Sequence, residues 1–208
     1  MLIDSWDKRG CIKQPLFVIY LGIFYNTFMI KLGAKELRTS EGDEEVKKNL
    51  KRNPVYIICD NVIDTYNIGS IFRLADAVAA KKVYLCGVSE TPPNTRIKKA
   101  SINTTEWVDW EYFEKTEDAI QRLRKEVPDI QIVAVEQSEK SVPFDNAPYQ
   151  FPLCLIVSNE TIGATKSVLD MADMIVEIPM WGINKSLNVM VSLGIVLFQV
   201  MQKLQKNS

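Results

Sequence analysis

Five short apolar runs limit the fold of this chain more than any other feature. Continuous apolar runs rich in β-branched residues are typical of strands buried on both faces of a sheet. Stretches with helical periodicity separate most of these runs, and strands that alternate with helices form parallel sheets. The sequence therefore predicts an α/β domain with a parallel sheet flanked by helices. The runs are VYIICD, KVYLCG, IQIVAVEQ, LCLIVS and MIVEIPM.

Helical patterns fill several of the intervals between these runs. One helix is predicted from about Ile68 to Ala80, and a short one over residues 166–171. Another is predicted at TEDAIQRLRKEV, with Thr116 as its N-cap. The stretch TPPNTRIKKASINTTEWVDW holds many turn formers and is predicted to be irregular.

The final predicted helix runs from Ser186 to about Gln205. Its segment LNVMVSLGIVLFQVM is apolar nearly all round, whereas a helix that covers a sheet needs only one apolar stripe. The second apolar face requires another partner, and we expect a second copy of the chain there. The sequence thus predicts a homodimer formed through the C-terminal helix.

Residues 1–52 are predicted to be an N-terminal extension, and residues 53–208 the α/β domain. The run PLFVIYLGIFYNTFMI, residues 15–30, resembles a signal peptide or membrane anchor. Asn26 interrupts this run, which is also short for a membrane span, so a membrane role is not expected. A membrane anchor and a start of translation at Met29 stay open as alternatives. A charged helix at DEEVKKNLKR is predicted next.

The chain contains no histidine. This excludes a Ser-His-Asp or Cys-His nucleophile and any histidine metal ligand. Its four cysteines form no CxxC pair, and all but Cys11 lie in strand-like runs, at Cys59, Cys86 and Cys154. We therefore expect buried, reduced thiols in a cytoplasmic protein, with no metal site.

Four polar loops follow predicted strands: NVIDTYNIG, VEQSEKS, SNETIG and MWGINKSLN. In open α/β sheets, ligands bind beyond the carboxyl ends of the strands, so these loops are predicted to form the rim of one pocket. None matches GxGxxG or GxxxxGK[ST], which excludes a standard dinucleotide or P-loop site. Gly69 is expected to let its helix pack closely on the sheet.

Each polar residue in these loops also has a purely structural interpretation. Asp64 and Asn67 could cap a helix. Arg73 lies off the apolar stripe of its helix and could pair with Asp76. Ser186 could cap the final helix. Taken together, however, these polar groups exceed what capping requires.

Three stretches, in order, closely resemble the three motifs of the SpoU/TrmH class of SPOUT RNA methyltransferases. The resemblance covers about residues 53–203 and includes the middle stretch KKASINTTEWVDWEYF. It implies transfer of a methyl group from S-adenosylmethionine to a ribose 2′-hydroxyl of RNA, a homodimer, and a deep trefoil knot near the C-terminus. The stretches are NVIDTYNIGSIFRLADA, IVSNETIG and IPMWGINKSLNVMVSLGIVLF.

The resemblance also assigns residues to the site. The implied catalytic residues are Asn67, Arg73, Glu160, Ser186 and Asn188. The implied cofactor-binding residues are Val135, Glu136, Ser158, Asn159, Gly163, Ile178, Met180, Ser186 and Leu187. A guanidinium is a poor base but binds phosphate through two donors, so we favour Arg73 as a phosphate-orienting residue. Its alternative role, as a base activated by RNA, stays open.

RNA also has to be held outside the pocket, because the net charge of −1 gives no general affinity for polyanions. Two basic patches are predicted for this role, in addition to Arg73. Solvated charge is the plain alternative for each. The first comprises Arg38, Lys47, Lys48, Lys51 and Arg52, and the second Arg96, Lys98 and Lys99.

Trp107, Trp110 and Tyr112 lie beside the second patch and could stack bases or fill the core. The compact chain favours tRNA over rRNA as the substrate. Two other functions compete with this one. They are a non-catalytic RNA-binding protein of the same fold and a SPOUT methyltransferase that modifies a base.

Overall fold

The computed structural model describes residues 32–39 and 43–206. They belong to a compact unit that begins at Leu32. The predictions for the apolar run at residues 15–30, for a start at Met29 and for Cys11 lie outside the described residues. Within the described part, no helix is long and apolar enough to cross a membrane. The boundary between residues 52 and 53 stays a prediction.

A seven-stranded sheet in which every pairing is parallel forms the centre of the described unit. The order of its strands is β3-β2-β1-β6-β4-β7-β5. The strands are β1 (Asn53–Asp60), β2 (Ala80–Cys86), β3 (Trp110–Phe113), β4 (Gln131–Val135), β5 (Val142–Pro143), β6 (Leu153–Ser158) and β7 (Met174–Glu177). The predicted parallel α/β architecture is confirmed. The trefoil knot stays a prediction, carried by the family resemblance.

Seven α-helices and one short 3-10 helix are described around the sheet. They are α1 (Ala34–Thr39), α2 (Glu44–Asn49), α3 (Thr65–Ala77), α4 (Thr95–Ser101), α5 (Thr116–Glu126), α6 (Lys166–Met171) and α7 (Val189–Lys206), with the 3-10 helix at Thr104–Glu106. The prediction that TPPNTRIKKASINTTEWVDW is irregular is therefore wrong in part. This stretch contains α4, the 3-10 helix and the start of β3. Asn94 is the N-cap of α4, because its side chain accepts hydrogen bonds from the backbone N–H groups of Arg96 and Ile97.

The starts of two helices differ from the predicted positions. Asp64 Oδ1 accepts from the Tyr66 N–H at 2.8 Å, so α3 begins at Thr65 rather than near Ile68. The prediction that Thr116 caps α5 is wrong. Lys115 occupies the cap position, and the Thr116 hydroxyl instead donates to Asp60 Oδ1 at 2.5 Å.

The last helix, α7, begins later than predicted, at Val189. The prediction that Ser186 caps it is wrong, because Asn188 takes that role. The Asn188 side-chain oxygen accepts from the Met190 N–H at 3.0 Å and from the Val191 N–H at 3.4 Å. Residues 181–188 are left as an exposed loop.

The central strands β1, β2, β4 and β6 are largely buried on both faces, as their apolar sequences predict. In β1, Ile57 and Cys59 belong to a core shared with α3 and α7, whereas Ile58 belongs to a second core under α5. Cys59, Cys86 and Cys154 are buried free thiols, which confirms the prediction for the described cysteines. Burial raises the pKa of the Cys86 thiol to about 12, so this thiol stays protonated at neutral pH.

Gly69 brings α3 against α4 and not, as predicted, against the sheet. A Cβ atom added to Gly69 would lie 2.5 Å from the Ala100 Cβ and 2.7 Å from the Ile97 carbonyl oxygen. No larger residue fits between these helices. This close approach fixes α4 beside the helix that carries Asn67 and Arg73.

Candidate active site

Three polar residues from distant parts of the chain form one hydrogen-bonded group. Asn67 donates through Nδ2 to Glu160 Oε1 at 2.8 Å. Asn188 donates through Nδ2 to Asn67 Oδ1 at 3.0 Å. Asn67 is only 6% exposed, whereas Glu160 and Asn188 are exposed to solvent. The group, called the amide–carboxylate chain below, thus joins the loop after β6 to the starts of α3 and α7.

The local structure leaves the side chains of Asn67, Glu160 and Asn188 free to form these hydrogen bonds. Because Asp64 caps α3, the Asn67 side chain is not needed as a cap. Asn188 caps α7 with its oxygen, which leaves its amide nitrogen to donate to Asn67. The second carboxylate oxygen of Glu160 accepts from the Ile63 N–H at 3.4 Å and so contacts the loop that precedes α3.

The loop that carries Glu160 is held in shape by the buried Asn159. Its Oδ1 accepts from the N–H groups of Thr161 and Ile162 at 2.8 and 3.0 Å. Its Nδ2 donates to the Asn61 carbonyl oxygen at 2.9 Å. Asn159 was predicted to bind a cofactor, but every polar atom of its side chain is already occupied by the protein. Its backbone carbonyl oxygen also accepts from the Gly163 N–H at 3.0 Å, so Asn159 supports the shape of the loop while it lines the cleft.

Next to the amide–carboxylate chain lies a cleft of about 490 Å³. Its walls are the loops that follow β4, β6 and β7, together with the first turns of α7. All nine residues predicted to bind a cofactor line this cleft, as does Glu160: Val135, Glu136, Ser158, Asn159, Gly163, Ile178, Met180, Ser186 and Leu187. Asn67, Arg73 and Asn188 lie outside its lining.

Glu136 connects two of these loops through its carboxylate. Its Oε1 accepts from the Gln137 N–H at 2.9 Å, and its Oε2 accepts from the Ala164 N–H at 3.0 Å. Gly163 makes the second contact possible. Its φ of +65° favours glycine, and an added Cβ would lie 2.6 Å from Glu136 Oε2. Glu136 therefore supports the cleft as well as lining it.

Gln137 holds a third loop in place and was missed by the sequence reasoning. Its side-chain amide donates to the Lys185 carbonyl oxygen at 2.5 Å, which ties the loop after β4 to residues 181–188. Within that segment, the Ser186 N–H donates to Asn184 Oδ1 at 3.2 Å. The only signal in the sequence was the position of Gln137 in a polar loop after a strand.

Comparison with known proteins places this arrangement in a family. Residues 54–198 match the model of the SpoU rRNA Methylase family, which is more than half of the chain. The chain belongs to this family. The predicted resemblance to SpoU/TrmH proteins is thereby confirmed.

Relatives of the chain carry names from the same family. It is 32% identical to a tRNA (guanosine(18)-2′-O)-methyltransferase of Aquifex aeolicus, over 74% of this chain and 71% of the relative. It is 29% identical to the enzyme of the same name from Escherichia coli K12, over 74% of this chain and 66% of the relative. The family match over residues 54–198 extends from β1 through the three motifs.

Solved structures agree with the observed fold. The Aquifex aeolicus TrmH/SpoU tRNA modifying enzyme superposes with a TM-score of 0.69 at 27% identity, covering 84% of this chain and 83% of that one. An AdoMet-bound rRNA methyltransferase from Sinorhizobium meliloti superposes with a TM-score of 0.67 at 27% identity, covering 81% and 60%. The SpoU fold is therefore the fold of this chain.

Two of the predicted catalytic residues of this SpoU protein do not join the amide–carboxylate chain. Ser186 lines the cleft but makes no side-chain hydrogen bond with the described residues. Arg73 lies six residues beyond Asn67, about 9 Å further along α3, and is exposed. It forms no ion pair with any described residue, so the alternative pairing with Asp76 is wrong.

The predicted basic patches differ in how available their charges are. Arg52 is half-buried and donates to the carbonyl oxygens of Ala80 and Trp107, so part of its guanidinium is engaged within the protein, and its binding to RNA stays a prediction. Lys47 pairs with Glu44 at 3.0 Å on an exposed helix, a contact of small free energy. The remaining patch residues are exposed and form no ion pair with the described residues: Arg38, Lys48, Lys51, Arg96, Lys98 and Lys99.

The three aromatic residues beside the second patch also differ. Trp110 is half-buried and packs partly against the core, and Trp107 is half-buried with its indole N–H enclosed. Tyr112 is exposed, and its hydroxyl donates to the Gly87 carbonyl oxygen. Core packing thus accounts for part of the Trp110 surface.

Proposed function

We propose that the protein transfers a methyl group from S-adenosylmethionine to a ribose 2′-hydroxyl of structured RNA. The observation that carries this proposal is the amide–carboxylate chain of Asn67, Glu160 and Asn188, at the edge of a cleft built from three strand-end loops. The names of the relatives, which are RNA guanosine-2′-O-methyltransferases, support the same reaction.

The cleft suits S-adenosylmethionine in size and chemistry. A volume of about 490 Å³ falls in the usual range for small-molecule sites. Val135, Ile178, Met180 and Leu187 offer apolar surface for an adenine ring. The loops supply backbone groups but no glycine-rich phosphate cradle, which matches a cofactor that carries no phosphate. When bound, this cofactor supplies a methyl group already activated by a sulfonium.

The protein's own residues then have to position the ribose. Asn67 and Asn188 hold the Glu160 carboxylate in a fixed orientation. Glu160 lines the cleft and is exposed, so its free lone pairs can accept a hydrogen bond from a ribose hydroxyl. A fixed acceptor of this kind aligns the 2′-oxygen with the methyl group and helps to remove its proton.

Arg73 serves as a phosphate-orienting residue in this proposal. It is exposed and forms no ion pair with the described residues, so its guanidinium is available to bind an RNA phosphate. The alternative role, as a base activated by RNA phosphate, predicts a different response to mutation. Arg73→Lys keeps the charge but loses the fork. Activity near the wild-type level in this variant would contradict the bidentate role.

We infer that the active form is a homodimer. Five apolar residues of α7 are buried in the core that this helix shares with α3 and the sheet, yet Val191, Ile195 and Phe198 stay 39%, 37% and 50% exposed. Their spacing of four and three residues puts them on one face of the helix. Covering this face requires a partner, and a second copy satisfies the requirement. Phe198→Asp should shift sedimentation from dimer to monomer, whereas Gln121→Asp, at an exposed position on α5, should not.

We favour tRNA over rRNA as the substrate, because the first two relatives named above act on tRNA. We also infer a cytoplasmic location. The described cysteines are buried thiols and form no disulfide, as expected in a reducing compartment. The RNA substrates in the relatives' names agree with it.

One assay tests the proposal against its two competitors. The protein is incubated with labelled S-adenosylmethionine and either total tRNA or rRNA, and the RNA is digested to nucleosides for mass spectrometry. A 2′-O-methylnucleoside supports the proposal. A methylated base favours the alternative of a base methyltransferase. Binding of both ligands without transfer favours the non-catalytic alternative.

A further inference from the structure

A second cleft, as large as the first, lies near the β3 edge of the sheet. Its volume is about 500 Å³, and its walls come from α2, the start of α4 and the start of β3. Strand β3 borders the second cleft, and β4 leads into a loop of the first. Three strands separate β3 from β4, which places these two strands about 19 Å apart across the sheet. The second cleft therefore lies outside the proposed methyl-transfer site.

This cleft is lined by one lysine from each of the two predicted basic patches. Lys47 comes from the charged segment before β1, and Lys98 comes from α4. These lysines are 51 positions apart in the chain. Their neighbours Lys48 and Lys99 are exposed but do not line the cleft. The fold thus selects two of the predicted RNA-binding lysines and brings them to one site.

The rest of the lining favours a nucleotide over a bare anion. Trp110, Pro92 and Pro93 give an apolar surface against which a base can stack. Glu106 and Asp109 also line the cleft, so its formal charges balance. Carboxylates repel a free phosphate, but they accept hydrogen bonds from the amino groups of bases and from ribose hydroxyls.

We propose that this cleft binds one nucleotide of the RNA substrate, away from the ribose that is methylated. Its base lies against Trp110, and its phosphates meet Lys47 and Lys98. The inference rests on the proposed function, because it takes RNA as the substrate. It adds a specific contact at the β3 edge of the sheet, away from the methyl-transfer site, by which the protein holds a second part of a folded RNA.

The test compares two matched pairs of lysines. The dissociation constant for bulk tRNA is measured for Lys47→Ala, Lys98→Ala and the double variant. The control pair is Lys81→Ala, Lys125→Ala and their double variant, at exposed lysines outside both basic patches and both clefts. We expect each cleft substitution to weaken binding about fivefold, and the two effects to be non-additive because both lysines hold one nucleotide. The control pair should change binding less than about twofold, and additively. Equal effects in the two pairs would overturn the proposal.

A second measurement separates a nucleotide site from an anion site. The indole N–H signal of Trp110, assigned by its loss in Trp110→Phe, is followed by NMR during titration with nucleoside 5′-monophosphates. We expect the signal to shift with the nucleotides and to stay unchanged with inorganic phosphate. A signal that stays unchanged with both, or moves equally with both, would contradict the proposal.

The two proposals fail in different ways. The tRNA dissociation constant and the Trp110 signal do not depend on methyl transfer. If transfer is absent but the cleft pair still shows coupled losses, the cleft proposal stands and the proposed reaction fails. If 2′-O-methylation occurs but the cleft pair behaves like the control pair, only the cleft proposal fails.

Discussion

The two sides of the candidate active site are built very differently. On one side, the start of α3 and the loop after β6 are locked together by Asn67, Asn159 and Glu160, two of which are buried. On the other side, every residue from 181 to 187 is exposed, including Trp181 at 92%. One side is thus fixed by side-chain hydrogen bonds, and the other is an exposed loop with few anchors.

Because of this difference, the two sides of the site have different roles in the proposed reaction. The buried amides have partners within the protein, so the Glu160 carboxylate is oriented before any ligand arrives. The open loop presents Trp181 and Ile183 to solvent, an unfavourable arrangement until the cofactor, the RNA or a second subunit covers them. Changes on the fixed side should therefore harm the reaction most, and changes in the open loop least.

Glu160→Ala should have the largest effect. It removes the acceptor for the Asn67 amide and for the Ile63 N–H, and with it the only carboxylate of the amide–carboxylate chain. We expect methyl transfer to fall about 100-fold, as for other lost acid-base groups. The rate of 2′-O-methylnucleoside formation measures it. Glu139→Ala is the control, since Glu139 is exposed and does not line the cleft.

Glycines on the two sides offer a matched pair for the next prediction. Gly163→Ala forces a Cβ to within 2.6 Å of Glu136 Oε2 and a side chain into positive φ, whereas an added Cβ on Gly182 meets nothing within 4 Å. The left-handed conformation alone costs an L-residue about 1–2 kcal/mol, so affinity for S-adenosylmethionine should fall about tenfold in Gly163→Ala. Gly182→Ala should change it less than about twofold. Calorimetry measures both, and equal losses would contradict a fixed side.

The sequence predicted the sheet well because buried strands have a strong signal. The five apolar runs correspond to β1, β2, β4, β6 and β7. It missed β3, an edge strand whose residues are only partly buried, and β5, which is two residues long. Both lack the continuous apolar character on which the prediction depended. It missed α4 because the preceding prolines masked the capping signal of Asn94.

The candidate site was predictable as a set of residues but not as a set of contacts. The family resemblance named Asn67, Glu160 and Asn188, which are far apart in the chain. Nothing in their local sequence shows that Asn67 bonds to the other two, since that contact depends on how three loops meet at the sheet edge. The same holds for the lysines of the second cleft.

Asn188 offers a way to separate stability from reaction on the fixed side. Asn188→Asp keeps an oxygen that can cap α7, but it loses the amide that donates to Asn67. We expect methyl transfer to fall about fivefold, as for the loss of roughly 1 kcal/mol, while the melting temperature changes little. Asn188→Ala, the control, loses both contacts and should also melt several degrees lower. Equal melting temperatures for the two variants would contradict the capping role.

Gln137→Ala tests the smallest effect, on the anchor of the open loop. Gln137 is exposed, and its side-chain amide donates the hydrogen bond to the Lys185 carbonyl oxygen that ties the open loop to the loop after β4. An exposed hydrogen bond contributes roughly 0.5–1 kcal/mol, so affinity for S-adenosylmethionine should fall about threefold. Gln121→Ala, at an exposed position on α5, is the matched control and should change nothing. A loss as large as that of Gly163→Ala would show that the open loop is as tightly coupled to the cleft as the fixed side, and the contrast between the two would no longer hold.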